Sequence, residues 1–152
     1  MDAKELLSRP WKIWCCLLDV KQKVAALKSL TEKTSVAFGP EAEPVSHSRN
    51  MTAMQDAIIR LSEAREEEAR LNEVYMNAAL EIGLVINRVP DMVMRQFLEK
   101  RYLEFMSIAD AANALGHCER WGRQKHNEAV EAVQEILDTD PPEFLSMTPE
   151  PA

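Results

Sequence analysis

Between Glu119 and Asn127 the chain reads E-R-W-G-R-Q-K-H-N, a run dense in side chains able to make planar, directional hydrogen bonds. Arginine can grip guanine through O6 and N7, and glutamine and asparagine can do the same to adenine. Glu119 can accept from cytosine, and Lys125 can neutralise a phosphate. Six residues are therefore the candidates for contact with double-stranded DNA: Glu119, Arg120, Arg123, Gln124, Lys125 and Asn127. On an α-helix they would occupy its N-terminal half, with the helix starting at Cys118. Further along, Ala129, Val130, Val133, Ile136 and Leu137 resume an apolar face that can pack back on a domain.

Something must hold such a helix at an angle to its support. Ser107 can cap a short helix, with Asp110 three residues on completing an arrangement like a capping box. That helix carries Ala111, Ala112 and Leu115 before Gly116. A helix-turn-helix needs a small residue where its helices approach, here Ala112, and a glycine four residues later where the chain turns, here Gly116. The spacing predicts a helix-turn-helix over about residues 107–137. Before it, after Pro90, Val93, Phe97, Leu98, Tyr102 and Leu103 lie on one face of a further helix.

The preceding residues predict a long support. Ile13, Leu17, Val20, Val24, Leu27, Thr31, Thr34 and Phe38 recur at alternating four- and three-residue steps, the stripe of a coiled-coil-like helix. Ser8 is its expected N-cap, with Pro10 in the first turn, and Gly39-Pro40 stops it. Loop composition follows at about 39–50. A second helix is expected from Asn50 to Thr52, with Thr52 and Gln55 as a capping box, and ends at Pro90. Its stripe is Met54, Ile58, Leu61, Ala64 or Arg65, Glu68, Leu71, Tyr75, Ala78, Ile82, Val85 and Val89. At 1.5 Å per residue, arms of about 45 and 54 Å could lie side by side. The expected fold is thus all-α: a long antiparallel helical hairpin over 1–89, a helix-turn-helix domain over 90–137, and an acidic, disordered tail over 138–152. Trp11, Trp14, Leu18 and the methionines exceed what one hairpin seam buries, which points to a homodimer or another partner surface.

Composition removes several classes of function. A net charge of -7 argues against indiscriminate coating of nucleic acid, whose affinity comes from neutralised phosphates. The charge is uneven, however, and a basic stretch survives at Arg120, Arg123 and Lys125. The longest apolar run, Ile13 to Leu18, is far short of the roughly 20 residues a bilayer requires, and the chain opens without a secretory pattern. A cytoplasmic protein with no membrane partner is expected. The three cysteines include the adjacent Cys15 and Cys16, which suits neither a disulfide framework nor a zinc site. They are expected to be packing residues; Cys118 with His117 and His126 matches no common zinc spacing, so no metal is expected. With no glycine-rich phosphate loop and no Ser or Cys beside a positioned His, the reading is a protein without enzymatic activity or cofactors.

The stretch LEKRYLEFMSIADAANALGHCER resembles region 4 of sigma-70-type factors, where an Arg-Tyr-Leu-Glu element precedes a Ser-capped helix, a Leu-Gly turn and a recognition helix. Over about residues 4–137 the chain resembles a phage family of sigma-region-4-like or ArpU-type transcriptional regulators, with 98–130 the specific part. The resemblance implies a DNA-binding regulator of late phage genes in a bacterial host, with double-stranded DNA as partner and host RNA polymerase as a further candidate. It also places Glu119, Arg120, Arg123 and Gln124 towards DNA. Three positions depart from the pattern: Gly122 stands where an aliphatic core residue is usual, Lys125 replaces an apolar residue, and Cys118 replaces a Ser cap. Gly122 leaves two outcomes open, with Trp121 turning inward to fill the space or the recognition helix poorly formed. The competing readings are a small-terminase-like DNA-packaging subunit and a protein-binding helical module.

Overall fold

The computed structural model describes residues 1–37 and 47–146, and all the regular structure in it is helical. Five α-helices follow one another: α1 (Ala3–Ala37), α2 (His47–Asn87), α3 (Met92–Leu98), α4 (Ile108–Ala114) and α5 (Glu119–Thr139). A π-helical turn, Glu99–Leu103, extends α3, and a 3-10 turn follows α5 at Glu143–Ser146. No described helix is long and apolar enough to cross a membrane.

The two long helices carry the stripes expected of them, with two corrections of phase. In α1 the apolar face begins five residues before Ser8: Ala3, Leu6 and Pro10 are buried and lead into Ile13 and Leu17 at the same alternating spacing. Pro10 is therefore inside the helix, where it removes one backbone hydrogen bond. Burial of its ring and of Leu6 and Leu7 offsets that loss. In α2, which begins at His47, Thr52 is an interior residue and not the start of the helix. Ala57 and Ala64 take the inward positions, leaving Ile58 and Arg65 exposed. Met54, Ala57, Leu61, Ala64, Glu68, Leu71, Tyr75, Ala78, Ile82, Val85 and Val89 then alternate in steps of three and four without a break. Thr34 as a side chain, Phe38 and most of the expected loop lie outside the described residues.

By its contacts the chain divides into two compact units, residues 13–74, and residues 1–12 together with 75 onward. The first consists of α1 from Ile13 on and α2 up to Val74, where Ile13, Leu17 and Leu61 are the buried side chains between half-buried neighbours. The second, within which the expected boundary at 89/90 falls, holds the larger core. There Ala3, Leu6 and Leu7 from the first turns of α1 cluster with Ile82, Val85 and Ile86 of α2, Val89 just after it, Leu98 of α3, and Ala129, Val130, Val133 and Leu137 of α5. Gln134 of α5 fastens the start of α1, its side-chain oxygen accepting from the Ala3 N–H at 2.8 Å and its amide donating to the Met1 carbonyl at 3.0 Å. One of the amides that a helix start leaves unsatisfied is thereby paired.

The acidic segment after Leu137 departs from the expected disordered tail over its first part. α5 continues to Thr139, Pro142 is buried, Phe144 packs against the core, and Asp140 meets Arg88 at 3.3 Å. The three cysteines also depart from expectation, since Cys15, Cys16 and Cys118 are all exposed.

Candidate nucleic-acid interface

The geometry around α5 starts with two local stop signals. Asp91 caps α3, accepting from the Val93 N–H at 2.9 Å. The π-helical turn closes with the Glu104 N–H on the Glu99 carbonyl and the Met106 N–H on the Lys100 carbonyl, each at 3.0 Å. Between them Phe105 adopts φ 60°, the left-handed conformation that usually calls for glycine at a helix end. Its ring lies edge-on to Trp11, with centroids 5.2 Å apart, and tilted to Tyr75.

Ser107 then accepts from the Asp110 N–H at 3.1 Å and starts α4, as its sequence spacing implied. α4 ends after two turns. Gly116 takes φ 81°, and the His117 N–H returns to the Ala112 carbonyl at 2.9 Å, which lets the chain set off in a new direction. Cys118 is extended and makes no side-chain cap at the start of α5.

α5 crosses α4 with no room to spare. A Cβ placed on Gly122 would lie 2.8 Å from the Ala112 Cβ and 3.1 Å from the Ile108 carbonyl oxygen. The glycine is thus the contact point itself, so the helix is formed there and the aliphatic residue expected by resemblance could not fit. Trp121 does turn inward in part, lying 6.1 Å edge-on from the buried Phe97, and its other neighbour is His117, stacked on it at 3.8 Å. Phe97, Ala111 and Ala112 form the small core beneath.

This packing sorts the six candidate residues. Glu119, Arg120, Arg123, Gln124 and Asn127 are all exposed and, at about 100° per residue, fall within an arc of about 140° on one side of α5. Lys125 does not join them. It is partly buried on the other side, over the Trp121 ring at 5.9 Å and 3.3 Å from Glu128. Within the exposed face Glu119 holds Arg123 at 2.7 Å, and Gln124 donates to Glu128 at 3.4 Å. The Glu119 pair is well exposed, so it is worth at most about 1 kcal/mol and opens readily to a competing acceptor. Arg120 has no ion pair among the described residues. The face can therefore offer one free guanidinium, a second in exchange for an exposed ion pair, and two carboxamides.

The residue that sequence reasoning undervalued is His126. It is half-buried between Phe97 and Tyr102, and the Tyr102 hydroxyl meets its Nε2 at 2.6 Å. Burial raises the phenol's pKa, so Tyr102 keeps its proton, and the imidazole tautomer sets which of the two groups donates. Burial, with Arg101 and Lys4 nearby, pushes the imidazole below its ordinary 6.5. The pair ties α5 to the π-helical turn. Only its 24-residue separation hid it, since no local pattern joins a tyrosine and a histidine that far apart.

Comparison of the chain with protein-family models, curated proteins and solved structures gave no match.

Proposed function

We propose that this protein is a phage or prophage DNA-binding transcriptional regulator, an accessory activator of late genes, in which α4 and α5 act as a sigma-region-4-like helix-turn-helix. In this reading α5 enters the major groove through Arg120, Arg123, Gln124 and Asn127, with Glu119 controlling Arg123. α1 and α2 form an antiparallel hairpin that carries the module, and host RNA polymerase or a second copy of the chain is a further partner. One observation carries the reading. The Ala112–Gly122 contact fixes α5 against α4 at its N-terminal half while leaving a continuous hydrogen-bonding face open to solvent. Ordinary packing needs no such concentration of arginine and carboxamide on an exposed arc. Resemblance over residues 98–130 supplies the phage and promoter part of the proposal.

The test is affinity on genomic fragments selected by the protein. Arg120→Ala and Arg123→Ala should each weaken a selected site by about 1–3 kcal/mol and relax sequence preference at one position. Equal losses on selected and random duplexes would reduce the contacts to phosphates, and failure to enrich any sequence would end the reading.

A packaging or protein-binding role has one observation of its own. Met76, Leu80 and Leu84 follow one another at four-residue intervals along α2 and stay well exposed. Sedimentation separates the readings: a ring of many subunits favours packaging, and a monomer or dimer favours regulation.

A further inference from the structure

Beside the π-helical turn, away from the exposed arc of α5, lies a pocket of about 250 Å³ lined by Ser8, Trp11, Arg101, Tyr102 and Phe105. Three of its five walls are aromatic rings. The fourth is a guanidinium lying 5.5 Å from the Tyr102 ring centroid, with Nη1 donating to the Met106 carbonyl at 3.0 Å. Arg101 Nε is sealed from solvent, so only the far end of the guanidinium is left to face the pocket. Ser8 offers no proton, because its hydroxyl donates to the Glu5 carbonyl at 3.1 Å. The guanidinium is therefore the polar anchor of the pocket.

We propose that this pocket binds a small carboxylate carrying a single aromatic ring. Size sets one limit, since 250 Å³ is just below the range of about 300–1,000 Å³ typical of small-molecule sites and suits roughly one ring and a short acid arm. Charge sets another. With Nη1 committed to Met106 and Nε sealed from solvent, the guanidinium's remaining nitrogen, Nη2, is the one that would give a carboxylate a charge-assisted hydrogen bond. A strongly hydrated phosphate would gain little from three aromatic walls, whereas an aryl group gains ring contacts with Trp11 and Phe105. Phe105 holds its wall position in a left-handed backbone conformation, a costly geometry of the kind found at ligand sites.

The pocket also has a line to α5, because Tyr102 is at once a wall and the partner of His126. A bound carboxylate would neutralise Arg101 and so favour protonation of His126.

The experiment uses the full chain without DNA, so its result is independent of the DNA-binding reading. 3-Phenylpropionate is titrated by NMR against the Trp11 indole signal, beside 3-phenylpropionamide, which lacks the charge, and acetate, which lacks the ring. Expected are saturable binding of the acid, at least tenfold weaker binding of the amide, and no saturation by acetate at the same concentrations. His126 should titrate at higher pH with the acid bound than with the amide. Arg101→Gln removes the charge, and should weaken the acid at least tenfold while leaving the amide unchanged. Because Arg101 also holds the Met106 carbonyl, Trp11→Ala, at a half-exposed position, serves as the second variant and should weaken acid and amide alike. Equal affinity for acid and amide, unchanged affinity in the folded variants, or no saturable binding of the acid would each overturn the proposal.

Discussion

Ala112 and Gly122 meet so closely that a single methyl group added to Gly122 would stand 2.8 Å from the Ala112 Cβ. Real Cβ atoms do not approach that closely, and the second obstacle, the Ile108 carbonyl 3.1 Å away, is backbone that cannot rotate aside. The separation of α4 and α5 is therefore set by this pair. Everything on the exposed arc of α5 inherits its position from it.

Gly122→Ala and Gly83→Ala should consequently move stability in opposite directions. Both replace a helical glycine and gain about 1 kcal/mol of helix propensity. At Gly83 nothing lies within 4 Å of the new Cβ, so thermal or urea unfolding should show a gain of about 1 kcal/mol. At Gly122 overpacking of about 1–3 kcal/mol outweighs the gain, and the variant should be less stable than the parent. A more stable Gly122→Ala protein would mean that the two helices are not in contact there.

Phe105 offers a separation of backbone from ring. Phe105→Ala loses the ring contacts with Trp11 and Tyr75 and keeps a Cβ at φ 60°, and should cost about 2 kcal/mol. Phe105→Gly loses the same ring but relieves the left-handed conformation, and should unfold about 1 kcal/mol less readily than the alanine variant. Equal stability of the two would show that the backbone is unstrained.

Acid should weaken the fold through His126. Its folded pKa lies below the ordinary 6.5, because burial and the charges of Arg101 and Lys4 disfavour the imidazolium. The unfolded chain therefore binds the proton first, and the contribution of neutral His126 is complete above about pH 6.5 and is lost as pH falls towards the lowered value. Proton NMR of the imidazole should give a midpoint below 6.5. The melting temperature should drop over that window, and less so in His126→Gln. A midpoint at or above 6.5 would place the ring in water instead.

Salt dependence should distinguish Arg120 from Lys125 if α5 lies on DNA. Each released phosphate contact lowers the slope of log affinity against log salt by about 0.9. Arg120→Ala should show most of that loss if its free guanidinium meets a phosphate, or a loss of sequence preference if it meets a base. Lys125→Ala should do neither, since Lys125 is partly buried over Trp121 and paired with Glu128. A full phosphate's worth of slope lost at Lys125 would mean that α5 presents its other side.

The amino-acid sequence by itself determined the helical class, the alternating stripes, and the breaks at Pro90, Ser107 and Gly116, because each depends on the 3.6-residue period or on the local backbone preferences of a residue type. It also marked out six candidates on α5, of which five share a face through that period and Lys125 does not. Tertiary structure decided the rest. The buried start of α1 at Ala3 depends on α2, α3 and α5 arriving around it, which overrides the proline that locally resembles a first turn. The requirement for glycine at 122, the turning of Lys125 onto Trp121 and the Tyr102–His126 bond each join residues on different turns or different helices. Such contacts arise from which helices meet and how closely, and no spacing along one helix encodes that distance.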